Sequence, residues 1–191
     1  MSRDPYWNHN THYHRWVLDQ IPAGARTALD IGCGDGLLAR KLATRVPDVL
    51  GVDKDAAILA QAAPAANLRY DQADFRDLTG TFDLVTAVAS LHHVPIDDGL
   101  KALQRLVAPG GTLAVVGLWK MSVRTEYVYL PLLPIIRTMD LLHGKGGPGA
   151  PMRDPDEDLS QIRAAAAAIV PGATIRRRLL WRYTLEWKKP D

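Results

Sequence analysis

The chain has 191 residues, 47% of them hydrophobic and 23% charged, with a net charge of +2 at neutral pH. That length suits one domain with its own core, and the near balance of charge speaks against a protein built to grip polyanions. A single cysteine, Cys33, leaves no internal disulfide, and no apolar run reaches the ~20 residues of a membrane span, so the chain reads as cytoplasmic.

The N-terminus, MSRDPYWNHNTHYHRW, shows neither the apolar core nor the cleavage site of a signal peptide. Tyr6, Trp7, His9, His12, Tyr13, His14 and Trp16 crowd into it, and a short helix is expected over roughly 10–20. No carboxylate or cysteine accompanies these histidines at a recognised metal spacing, so no metal site is expected. Segment 1–24 reads as an aromatic cap over a pocket mouth, with His12 and His14 as candidates to close the pocket from above.

Ala28-Leu29-Asp30-Ile31 is a strand running into Gly32, Gly34 and Gly36, with a helix of about 35–46 behind it. Glycines at such a junction let the backbone take positive φ and approach a ligand closely, and the helix start offers unpaired N–H groups. The dinucleotide fingerprint is G-x-G-x-x-G. Here the third glycine comes one place early, and Leu37 stands where that pattern needs glycine, so a nicotinamide oxidoreductase fits poorly. Cys33 reads as a small residue in a tight place.

Val49–Asp53 is a short strand ending in an acid, and Asp55 can cap a helix over Ala56–Ala62 that Pro64 ends. Leu68 opens a third strand, followed by Asp74-Phe75. Phe82–Val88 is apolar almost throughout, as parallel strands covered on both faces are. Leu100, Leu103, Leu106 and Val107 form a helical stripe, Pro109-Gly110-Gly111 a turn, and Thr112–Leu118 a fifth strand. Strands alternating with helices predict a parallel sheet with crossovers. At about Trp119 the alternation stops, and 119–155 reads as a lid-like insertion, helical in part, with a mobile glycine-rich tip. Asp154-Pro155 is expected to open the last helix, and Ala173–Trp181 and Tyr183–Lys188 to form a hairpin. Arg176-Arg177-Arg178 suits an edge strand with outward charges better than a nucleic-acid patch.

Four segments therefore follow strand C-termini, where an open parallel sheet has its ligand crevice. Asp53 can accept from both ribose hydroxyls. Asp74 can accept from an exocyclic adenine amine while the Phe75 N–H donates to a ring nitrogen. Asp30 and the turn amides can meet the amino-acid end of a cofactor.

The motifs ALDIGCGDG, GVDKD, DQADF, FDLVTAVASLHHV and LVAPGGTLAVVG resemble, in order and spacing, those of class I S-adenosylmethionine (SAM) methyltransferases of the small type-11/12 kind, across about residues 26–118. The resemblance implies an α/β Rossmann-like fold, a seven-stranded sheet of order 3-2-1-4-5-7-6 with strand 7 antiparallel and helices on both faces. It also implies SAM held by Asp30, Gly32, Cys33, Gly34, Asp53, Lys54, Asp74, Phe75 and Ala89. The implied reaction is methyl transfer to oxygen or nitrogen of a small-molecule acceptor; an RNA or protein methyltransferase, or a SAM-binding protein without catalysis, is the alternative. His93, beside His92 after strand four, is the candidate base or pocket wall. The Asn/Asp-Pro-Pro-Tyr motif of adenine and glutamine amino methylation is absent there. The N-terminal segment and residues 119–170 fall outside the family's motifs.

Overall fold

The computed structural model describes residues 4–121, 131–143, 146, 147, 149 and 153–191. A 3-10 turn at Thr11–Tyr13 leads into α1 (His14–Leu18), which stands ahead of the sheet. Then come β1 (Thr27–Ile31), α2 (Leu37–Ala43), β2 (Asp48–Asp53), α3 (Ala56–Leu59), β3 (Leu68–Gln72), β4 (Phe82–Val88), α4 (Ile96–Leu106) and β5 (Val107–Gly117). After the insertion, which contributes α5 (Leu133–His143), come α6 (Leu159–Ile169), β6 (Thr174–Arg178) and β7 (Arg182–Lys188). The seven strands form one sheet of order β3-β2-β1-β4-β5-β7-β6. β1 to β5 run parallel, and β7 lies antiparallel to both β5 and β6, as expected.

Successive strand residues point to opposite faces, so the apolar runs bury both sides. Leu29, Ile31, Val85, Ala87, Leu113 and Val115 pack with Leu100, Leu103 and Leu106 of α4 and Leu159 and Ile162 of α6. Ala28, Leu84, Ala114 and Val116 face the other way, onto Val17 and Leu18 of α1 and Leu38 and Leu42 of α2. These two layers fix the C-terminal ends of β1, β2, β3 and β4 relative to one another.

The last helix starts at Leu159, not at Asp154-Pro155. The reason is a capping box: the Asp158 carboxylate accepts from the Ser160 and Gln161 N–H groups at 2.7 and 2.9 Å, and the Gln161 side chain accepts from the Asp158 N–H at 2.8 Å. Asp158→Ala is expected to lower the urea midpoint of unfolding at constant m, because two helix N–H groups lose their acceptor. The helix capped by Asp55 is also shorter than expected, ending at Leu59, although Asp55 accepts from Ala57 and Ile58 as expected. β6, carrying Arg176–Arg178, is one of the two edge strands. The Arg177 guanidinium lies 5.4 Å from the Trp119 ring centroid, and Arg178 donates to Thr184 Oγ1 at 3.0 Å. Of the apolar run 127–136, residues 127–130 lie outside the described residues, as do 144, 145 and 148 of the glycine-rich tip.

Candidate functional site

β1 is flanked by β2 on one side and β4 on the other, so the chain's direction of winding reverses there and a crevice opens at the strand C-termini. Gly32, Gly34 and Gly36 carry φ of 65°, 57° and 74°, left-handed values that favour glycine. Gly32 is also needed for space, because a Cβ there would run into the Ser90 side chain. The turn is tied to β2. Gly32 and Cys33 donate their N–H groups to the Val52 carbonyl at 2.8 and 3.0 Å, and Gly34 donates to Asp53 Oδ2 at 2.9 Å. These three amides, expected to face a ligand, are committed within the protein by the close approach of β2. Cys33 is buried, and burial pushes its thiol well above the usual range, which suits the small-residue reading.

Three carboxylates stand around this turn in different states. Asp53 is half-buried, accepting from Gly34 on one oxygen and from the Asp55 N–H at 3.0 Å on the other. A carboxylate has about four acceptor sites, so capacity remains. Asp74 accepts from the Arg76 backbone N–H at 3.0 Å and from its guanidinium at 3.0 and 2.7 Å, which holds its carboxyl below the usual range. Phe75, next to it, is buried. Asp30 is 2% exposed; Thr86 Oγ1 donates to its Oδ1 at 2.8 Å, while Oδ2 has no hydrogen-bond partner among the described residues. Burial, with the nearby Asp53 charge and against the Thr86 bond and the Ala39 N–H at the start of α2, pushes its carboxyl up to about 7.

β4 is followed by Ala89 at φ 54°, a left-handed value for a residue with a Cβ, with its N–H on the Val116 carbonyl at 2.7 Å. This turn sends Ser90, whose Oγ donates to the Ile31 carbonyl at 2.9 Å, and the His92–His93 pair across the head of β1. The two rings lie 4.3 Å apart. His93 feels the charges of Lys54 and Asp53, so it sits towards the crevice; burial first, then Lys54 and Arg153, lower its pKa. His92 is held at about 4, chiefly by burial and then by His93, Arg182 and Arg153, and its Nδ1 is buried with no partner among the described residues.

His14 does not close the pocket from above. It is 6% exposed, its Nδ1 lies 3.1 Å from Lys41 Nζ on α2, and burial with Lys41 drives it down to about 3. It serves the seam between α1 and α2, where helical phase turns it inward. His12 is exposed and stands edge-on to Tyr13 and Trp7. Around it the N-terminal segment meets the insertion. His9 Nε2 lies 2.9 Å from Asp140 on α5, Trp7 stacks on His143 at 4.8 Å, Gly146 donates to the Trp7 carbonyl and Asn8 donates back to Gly146. Tyr6 donates to the Asp35 carboxylate at 3.0 Å, which lays the same segment on the glycine turn.

A family model described as a methyltransferase domain matches residues 28–111. An uncharacterised methyltransferase of Mycobacterium tuberculosis (strain H37Rv) is 39% identical over 197 residues, covering 98% of this chain and 99% of the relative. The chain belongs to the class I SAM-dependent methyltransferases. A trans-aconitate 2-methyltransferase of Deinococcus radiodurans is 44% identical to it over 94 residues, 46% of this chain and 36% of the relative. A crystal structure of magnesium protoporphyrin IX methyltransferase from Synechocystis PCC 6803 with bound S-adenosylhomocysteine (SAH) has a TM-score of 0.63 at 19% identity, covering 94% of this chain and 80% of that one.

The cofactor of this methyltransferase is SAM, and the crevice fits it. SAM carries an ammonium and a ribose diol; the orphaned, buried Asp30 Oδ2 and the spare acceptor sites of Asp53 are groups a cation and two hydroxyls would complete. The enzyme also holds residues the motifs do not mark. Thr86 orients Asp30, and its signal was a hydroxyl within the apolar stretch Leu84–Val88. Arg153 donates to the His93 carbonyl at 3.3 Å, and Arg182 lies near His92. Neither arginine falls at a recognisable spacing.

Proposed function

We propose that the enzyme moves the SAM methyl to an oxygen or nitrogen of a small-molecule acceptor, bound beside His93 under the joined N-terminal segment and α5. The observation that supports this reading is the junction itself: Trp7, Asn8 and His9 are fastened to Asp140, His143 and Gly146, and Tyr6 beside them to Asp35 of the glycine turn. A junction of two chain segments there suits an acceptor enclosed away from water rather than a long polymer. The near-neutral net charge and the similarity to a relative named for a small acid point the same way. In this reading segment 1–24 is the cap, and the insertion is the lid.

SAM supplies a methyl already activated by its sulfonium, so the protein's task is to hold the acceptor in line and exclude water. Asp53 takes the ribose hydroxyls, Asp74 the adenine amine and Asp30 the ammonium, with Lys54, Phe75 and Ala89 lining the crevice. Asp74→Ala should weaken SAM and SAH alike, by about 10- to 100-fold, since the adenosine is common to both and one bond to a charged acceptor is lost. Calorimetric titration of both ligands checks it; a loss confined to SAM would put Asp74 near the sulfonium instead.

His93 stays neutral at pH 7 and can hold or orient the acceptor proton. His93→Ala is expected to cost less than about tenfold in kcat with SAM affinity unchanged, because alignment carries the reaction when the leaving group is this good. Any acid limb from His93 lies below pH 6.5, the ordinary imidazole value, because its pKa is lowered. A loss of ~10²-fold with folding and SAM binding intact would make His93 the base.

Labelled SAM incubated with the enzyme and a cell extract tests the acceptor class. Label is expected in the low-mass fraction. Label confined to RNA or protein would overturn the small-molecule reading.

A further inference from the structure

We propose that Arg182, together with His92, forms a subsite for a carboxylate of the methyl acceptor, so that the acceptor is an organic acid. This rests on the small-molecule reading above and adds the chemical class.

Arg182 opens β7, and its guanidinium is held entirely by neutral groups. Nε and Nη2 donate to Asn10 Oδ1 at 2.9 and 2.7 Å, and Nη1 donates to the Leu180 and Trp181 carbonyls at 3.2 and 3.1 Å. No carboxylate among the described residues lies within ion-pair distance of it. A largely enclosed cation without a counter-ion is costly, and a guanidinium is the side chain best matched to a carboxylate ligand. These four bonds use four of its five N–H groups, leaving one on Nη2.

Two further observations point the same way. Leu180 and Trp181, whose carbonyls grip Nη1, carry φ of 59° and 52°, left-handed values for two consecutive side-chain-bearing residues. Such conformations are strained and persist where the surroundings require them. The strained turn therefore fixes the guanidinium in place. Second, His92 Nδ1 is buried and has no partner among the described residues. Burial holds His92 at about 4 and lowers Arg182 only to about 10, so at neutral pH the imidazole is uncharged and the guanidinium is charged. A carboxylate here would accept from the remaining Nη2 N–H, with the neutral His92 ring as the neighbouring wall. His92 lies against His93, with ring centroids 4.3 Å apart, and His93 senses Asp53 and Lys54, so the subsite neighbours the cofactor crevice.

The test is calorimetric titration of SAH-saturated enzyme with succinate, glutarate and tricarballylate, each against its neutral amide. At least one acid is expected to bind ten times or more tighter than its amide. Arg182→Gln should remove that preference at least tenfold while SAH affinity stays within twofold. Equal binding of acids and amides by the wild type, a comparison that needs no variant, would overturn the subsite. So would silence from all three acids, or an unchanged preference in a folded Arg182→Gln protein. Label found only in macromolecules in the extract experiment would instead overturn the small-molecule reading, so the two failures are separate.

Discussion

Asp53→Ala is expected to lower SAM affinity by at least 100-fold and to leave the protein folded. Two hydrogen bonds from ribose hydroxyls to a charged acceptor contribute about 3–6 kcal/mol, and 2.7 kcal/mol is already about 100-fold. Part of the loss comes from the ligand-free protein, because Asp53 also accepts from Gly34 and Asp55 and so shapes the turn. Asp53 is half-buried and adds little to either core cluster, so the melting transition should stay cooperative. Calorimetric titration gives the affinity; a value near that of the wild type would remove Asp53 from the ribose.

Asp30→Asn should do two opposite things: stabilise the ligand-free protein above pH 7 and weaken SAM. The Asp30 carboxyl, ordinarily at 3.8, is pushed up to about 7 in the folded protein, mainly by burial. The native state therefore holds the proton more tightly than the unfolded chain. Whatever stability this group contributes is fully present below pH about 4 and is lost as pH rises towards 7. By pH 8 the loss is on the order of 2–4 kcal/mol. Asparagine has no proton to lose and can keep the Thr86 bond, so its stability should be flat across that window. SAM affinity should fall at least tenfold, because a buried anion facing the ammonium is gone. In the wild type, SAM should bind more tightly as pH rises through 7, with proton release. Melting at pH 6 and 8, with and without SAM, checks all of this; an Asp30→Asn protein less stable than wild type at pH 8 would show that Asp30 is not a strained carboxylate.

The sheet was legible because each strand carries its own burial signature. Phe82–Val88 could only be covered on both faces, and the glycine turn could only follow a strand. That Asp53 and Asp74 stand at or just past strand ends was legible for the same reason. Helix starts were harder. Asp154-Pro155 and Asp158-x-x-Gln161 are both valid signals, and the two-way hydrogen bonding of the second decides between them. His14 failed as a site residue because its direction is set by how α1 rolls onto α2, which no local pattern encodes. Arg182 was invisible for a related reason. On an alternating strand it reads as one more outward charge, like the edge arginines of β6, until Asn10, 172 positions away, is brought against it.

A crystal structure of the enzyme with SAH tests the central claim most directly. The account predicts the ribose hydroxyls on Asp53, the amino group within hydrogen-bond distance of the now partnered Asp30 Oδ2, and the adenine amine on Asp74. SAH bound elsewhere, or seated in the crevice with Asp30 Oδ2 still unpartnered and Asp53 bonded only to Gly34 and Asp55, would contradict it.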